Sequence, residues 1–265
     1  MNGAPATGRG VNHMGKLIIL AGPSGIGKSP LAKAFGALYP RDAHEFRALV
    51  LYNSRTPRPG EQDGRDYFFR SRDHIRRLAE REEFATFDVR GDLQGLDITR
   101  LHKDIAEHTV LFEGNPFVGA ALVREATRHA IDSLSVFVSP FTAREIRFFA
   151  DPDTRGDPRT AVTTMMRGKL LRRTRLRDGE LSLPALQDIE RRAASACDEL
   201  RLARNFSYII PNHDGEDSDH WRICGYPVGD AGRAVEAFAA LCAGRSSDMV
   251  EQWDESLYAI LDTCA

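Results

Sequence analysis

Gly22-Pro23-Ser24-Gly25-Ile26-Gly27-Lys28-Ser29 decides the reading of this chain. The stretch is a complete G-x-x-x-x-G-K-[ST] phosphate loop. Its flanks fit the motif. Lys16-Leu17-Ile18-Ile19-Leu20-Ala21 is an apolar run of buried-strand length, and Leu31 to Leu38 suits a helix that ends at Tyr39-Pro40. A strand, a glycine turn and a helix N-terminus aim several backbone N–H groups at one anion. Lys28 can then reach terminal phosphates, and the Ser29 hydroxyl can ligate Mg²⁺. A glycine-rich turn that binds nothing would account for the glycines, but not for Lys28-Ser29 at the required spacing.

Outward from the loop, strands and helices alternate. Ala48–Tyr52, Tyr67–Phe69 and Phe84–Val89 have strand composition, the last running into a turn at Gly91 and Gly95. Thr109–Glu113, Ser133–Val138 and Phe206–Ile210 are apolar runs of buried-strand length. Ser71 caps a helix to Leu78, and Ile98–Glu107, Val118–His129 and Ala231–Leu241 read as further helices. Strands separated by helices predict a parallel central sheet in a three-layer α/β/α fold. Residues 141–202 interrupt the alternation with many arginines, a loop at 151–158 and two helical stretches.

Composition bounds the function. A length of 265 residues suits one large domain or two small ones. A net charge of −2 argues against a protein devoted to nucleic-acid backbones, and no apolar run is long enough to span a membrane. Residues 1–15 lack the apolar core of a signal peptide and are expected to be a disordered leader. Cys197, Cys224, Cys242 and Cys264 form no C-x-x-C pair, so neither a zinc site nor a disulfide framework is expected, and a reducing cytoplasm is the simplest home. Residues 245–265 form a short tail whose Trp253, Leu257, Ile260 and Leu261 can pack on the body or on a partner.

The second informative stretch is Asn53-Ser54-Arg55-Thr56-Pro57-Arg58-Pro59-Gly60-Glu61-Gln62-Asp63-Gly64-Arg65-Asp66-Tyr67. Two arginines three apart, stiffened by prolines, can clamp an oxyanion, with a tyrosine hydroxyl as one more donor. Charge alone would equally describe a solvated loop. The order of residues, however, resembles the guanylate kinase family, which carries T-T-R-x-P-R-x-G-E-x-x-G-x-D-Y after a G-P-S-G-x-G-K-S loop. Every element after the two threonines is present; Asn53 and Ser54 replace those. The resemblance spans roughly residues 16–244, with an acceptor-binding segment at about 48–98 and an arginine-rich helical lid at about 141–202. It implies that Arg55, Arg58 and Tyr67 hold an acceptor phosphate. It also implies that Arg173, Arg177 and Arg192 are lid arginines acting on the transferred group, and that Asn212 lies near the adenine of ATP.

The departures fall mainly on the acceptor side. The guanine-reading positions of the family fall near Thr86, Gln94 and Leu96, none of which is acidic. Glu113 is the one carboxylate left at its strand end, available to a Mg²⁺-bound water or a substrate hydroxyl, or else to a lid arginine. Pro30 replaces a threonine in the first turn after the loop. Two insertions, roughly 148–171 and 215–229, are expected. The resemblance therefore implies ATP-dependent phosphoryl transfer to a phosphorylated acceptor with Mg²⁺, GMP being the family's acceptor. A P-loop kinase of the same fold with another acceptor and a non-catalytic interaction module remain as alternatives. Lys28 and Ser29 weigh against the module, since modules of this fold commonly lose the loop lysine.

Overall fold

The computed structural model describes residues 15–57, 60–89, 91–154 and 157–263. Its strands are β1 (Leu17–Ala21), β2 (Phe46–Ala48), β3 (Tyr52–Asn53), β4 (Phe68–Phe69), β5 (Phe84–Val89), β6 (Asp92–Asp97), β7 (Thr109–Gly114), β8 (Ser133–Ser139) and β9 (Tyr208–Pro211). Its α-helices are α1 (Lys28–Leu38), α2 (Pro40–Ala43), α3 (Arg72–Leu78), α4 (Ile98–Glu107), α5 (Pro116–Arg128), α6 (Ala143–Ala150), α7 (Pro158–Asp178), α8 (Leu183–Arg201), α9 (Gly229–Cys242) and α10 (Glu255–Thr263).

Every residue of β1 is apolar and buried, as a strand covered on both faces requires. It is central in a parallel sheet of order β2-β7-β1-β8-β9. Helix α5 lies against β1, β7 and β8, while α1 and α9 pack on each other. The chain crosses from β1 through α1 to one side and continues on the other side at β8, so the loop after β1 sits at the sheet's topological switch point, where α/β folds bind ligands.

A second sheet, of order β4-β3-β6-β5, holds the acceptor-segment residues. Here the structure differs from the sequence reading in two places. The apolar run at 48–52 is divided: β2 ends at Ala48 on the edge of the first sheet and β3 starts at Tyr52 in the second, with Leu51 buried between them. Gly95, expected in a turn, is inside β6. The Phe84 ring lies over its backbone, and a Cβ there would come within 2.4 Å of Phe84 Cε1. Glycine marks the close approach, not the end of the strand.

The lid region contains three α-helices, not two. Helix α6 is set by a capping box in which Thr142 accepts from the Glu145 N–H and Glu145 accepts from the Thr142 N–H. Helix α7 starts within the expected insertion; its Val162 and Met166 belong to the main core, while Leu170 packs with Ile189 and Ala193 of α8. The tail also joins the core. Glu251 makes an antiparallel bridge to Ile209 of β9, and Trp253, Leu257, Tyr258 and Leu261 are buried. No helix among the described residues is long and apolar enough to cross a membrane.

Leu257 is 0% exposed in the main core cluster. Leu257→Ala removes that packing and is expected to cost about 2–5 kcal/mol, measured as a lower midpoint in urea unfolding followed by circular dichroism.

Candidate active site

The phosphate loop takes its shape from glycines at positive φ. Gly25 (φ 87°) and Gly27 (φ 101°) adopt backbone conformations that a side chain would strain, and Gly27 is the N-cap of α1. Gly27 also has no room for a Cβ, which would stand 2.7 Å from the Asp214 carbonyl and 2.9 Å from Trp221 Cζ2. Pro30 occupies the first turn of α1, where no helical N–H is required.

Lys28 is buried and donates to the carbonyls of Gly22 (2.8 Å) and Pro23 (2.9 Å). Burial pulls its ammonium below the ordinary lysine value, against the opposing fields of Glu216 and Glu113. The neighbouring Ser29 hydroxyl is exposed and donates to Glu113 Oε1 at 2.5 Å. A hydroxyl and a carboxylate beside the loop lysine are hard oxygen donors of the kind Mg²⁺ prefers. Glu113 is thus partnered with the loop serine, not with a lid arginine.

Two adjoining clefts meet at Ser29, Arg173, Arg192 and Glu216. One, about 630 Å³, is lined on the loop side by Lys28 and Ser29 and on the second-sheet side by Glu61, Arg65, Asp66 and Tyr67. The other, about 830 Å³, runs between α1 and the lid and includes Pro30, Lys33, Arg177 and Arg222. Arg192 reaches down from α8 to the Ser24 hydroxyl (3.1 Å) while its other nitrogen pairs with Asp188 (2.7 Å). Arg173 donates to Glu216 at 2.9 Å. Arg177 is exposed on the lid and faces the larger cleft.

In the acceptor segment, Arg55 is gripped at both nitrogens by Glu61, 2.6 Å each, and its guanidinium lies over the rings of Tyr67 (5.2 Å) and Phe69 (5.4 Å). Tyr67 faces the cleft, and Arg55 stands behind it through Glu61. Arg58 lies outside the described residues. Thr86 is exposed on β5 opposite Gly95, and Gln94 and Leu96 are buried on β6. None of the three lines either cleft. Sequence reading gave no role to Glu61, although it stood inside the quoted motif as the acid two residues before Asp63.

Asn212 is fully buried at the end of β9. Its amide donates to the carbonyls of Ile26 (2.8 Å) and Asp214 (2.7 Å), and its oxygen accepts from the Asp214 N–H. It braces the phosphate loop from behind. The next residue, His213, is held between Asp230 (2.5 Å) and Glu145 (3.0 Å), and its carbonyl accepts from the buried Lys169 of α7.

Together the fold and loop define a P-loop phosphotransferase with an arginine cluster on its lid helices. The guanylate kinase family model matches residues 14–107. The chain is 30% identical over 199 residues to a guanylate kinase of Geobacter sulfurreducens, covering 75% of this chain and 81% of that protein. It is 32% identical over 207 residues to one of Thiobacillus denitrificans, covering 78% and 81%. A crystal structure of guanylate kinase from Anaplasma phagocytophilum aligns with a TM-score of 0.49 at 18% identity, over 94% of this chain and 95% of that one. The chain belongs to the guanylate kinase family.

Burial lowers the pKa of His213, but the hydrogen bonds to Asp230 and Glu145 outweigh it and raise the imidazole above its ordinary value. A raised value means stability that is complete below the unfolded pKa of about 6.5 and is lost as pH rises through the folded value. His213→Gln is expected to flatten that decline, measured as unfolding midpoint against pH from about 5 to about 9.

Proposed function

We propose that this chain is an ATP-dependent kinase that transfers the γ-phosphoryl group of ATP to GMP, giving GDP and ADP. The observation that carries this reading is the 630 Å³ cleft, in which Lys28 and Ser29 face Tyr67 and Arg65, with Arg173 and Arg192 above. Two phosphates approaching from opposite sides would meet there under a set of cations. Family membership and the guanylate kinase name of the relatives support the choice of substrates.

Phosphoryl transfer asks a protein mainly for alignment and charge stabilisation. Backbone N–H groups at the start of α1 receive the donor phosphates, and Lys28 exchanges its carbonyl partners for phosphate oxygens. Ser29 and Glu113 are the residues that would hold Mg²⁺, and the ion would neutralise charge on the donor phosphates. Tyr67, set by the Arg55–Glu61 pair, orients the acceptor phosphate together with Arg58. An acceptor oxygen then bonds to the γ-phosphorus as the β–γ bridging bond breaks, and ADP leaves with the electron pair. No general base is needed, because the attacking oxygen is already anionic. Arg173, Arg177 and Arg192 stabilise the charge in flight and exclude water as the lid closes.

A second reading concerns base choice. Thr86, Gln94 and Leu96 supply no carboxylate, and none of them lines the cleft. A site without its specific hydrogen-bonding group discriminates weakly among related bases.

The experiment is coupled ADP release with Mg²⁺-ATP over GMP, AMP, CMP, UMP and sugar phosphates. GMP turnover with only weak rejection of the other monophosphates is expected. A sugar phosphate turned over well, with all four nucleotides inert, refutes the nucleotide acceptor. Lys28→Ala is expected to cost at least about 100-fold in kcat at an unchanged fold; wild-type turnover in that variant removes the loop from the mechanism. Arg55→Ala frees Tyr67 and Glu61 and is expected to raise the GMP KM and lower kcat together, with ATP KM unchanged, in initial-rate kinetics.

A further inference from the structure

The segment inserted between β9 and α9 is not a distant decoration. The Glu216 N–H donates to the Gly25 carbonyl of the phosphate loop at 3.0 Å. Gly215 is seated so closely that a Cβ would fall 2.6 Å from that same carbonyl oxygen. Trp221 donates from Nε1 to the Gly215 carbonyl at 2.8 Å, and its ring edge stands beside Gly27. The segment is therefore fastened directly onto the loop.

That seating carries the Glu216 carboxylate into the anion site. It lines both clefts, on the wall shared with Ser29 and Arg173. It accepts from Arg173 Nη1 at 2.9 Å, with both side chains about four-fifths covered (19% and 22% exposed). Among the charges that act on Lys28 its field is the foremost acidic one. Arg173 Nε is buried and has no hydrogen-bond partner among the described residues. A guanidinium with an unused donor thus stands beside the loop lysine, and a carboxylate occupies one of its outer nitrogens. A polyphosphate in the loop would meet that carboxylate as a like charge and that guanidinium as an opposite one.

We infer that Glu216 is a positioning residue, a built-in counter-anion that holds Arg173 over the phosphate loop and releases it to the terminal phosphate of the incoming donor. The exchange conserves the pairing of Arg173, and it sets the donor affinity by the carboxylate it must first displace. The inference rests on the donor half of the proposed function.

The test is calorimetric binding of Mg²⁺ with AMP-PNP, and separately with ADP, to the full chain. Glu216→Gln keeps the backbone contact and removes the charge; thermal unfolding confirms the fold. It is expected to tighten AMP-PNP by about three- to tenfold, with a smaller gain for ADP, which lacks the terminal phosphate. Glu216→Asp, which retains the carboxylate, stays within about twofold of wild type, and the gain from Glu216→Gln shrinks below about twofold when Arg173 is Ala. Unchanged or weaker AMP-PNP binding in Glu216→Gln overturns the inference; weaker binding would make Glu216 a direct ligand of the donor. Equal gains for AMP-PNP and ADP overturn it too, because they signal a general charge effect. Nucleotide binding without GMP turnover sinks the proposed reaction but leaves Glu216 its role, whereas a wild-type chain that binds no nucleotide removes both.

Discussion

A buried ammonium needs anions or lone pairs, and the whole site depends on how Lys28 obtains them. It takes two carbonyl oxygens of its own loop, Gly22 and Pro23. That arrangement needs a loop wrapped tightly enough to bring its carbonyls inward, hence the left-handed glycines at 25 and 27. It also needs the loop held at the edge of a fully buried strand. β1 supplies the edge, with parallel neighbours β7 and β8 on either side. Asn212 supplies the brace from β9, by engaging the Ile26 carbonyl. The parallel sheet thus serves as a frame for one tight glycine turn and its cation.

Around that turn, charges are organised in pairs that can exchange partners. Ser29 with Glu113, Arg192 with Ser24 and Arg173 with Glu216 each place a polar group where an oxyanion or a hard cation would be received. Arg55 is different. Bidentate pairing with Glu61 holds its guanidinium against the rings of Tyr67 and Phe69. A loop that looks merely charged in one dimension is a preorganised wall in three.

The parts of this architecture that could be read from sequence are those with local causes. The central strand β1 is apolar at every position because both faces are covered, and Ser71 caps α3 by a bond three residues away. The phosphate loop is a contiguous motif. What escaped reading arises from contacts between distant residues. Gly95 looks like a turn residue until the Phe84 ring is seen lying on it. The run at 48–52 looks like one strand until two sheets compete for its ends. Glu216 meets Arg173 across 43 positions in the chain, a pairing that leaves no local pattern. The failure of Thr86 and Gln94 to line either cleft is likewise a matter of which way a second sheet faces.

The bond from Lys169 to the His213 carbonyl has a mechanical consequence. It pins α7 part-way along its length to the end of β9. Before the pin, Val162 and Met166 are sunk in the main core; after it come Arg173 and Arg177. A rod fixed at one end and pinned near its middle cannot swing as a whole. Its outer half is held by side chains, Arg172 on Asp217 and Arg173 on Glu216, and Gly168, the residue with the least resistance to bending, stands directly beside the pin. Any movement of the lid would therefore be a small flexure at the arginines themselves, not a sweep of the whole helix.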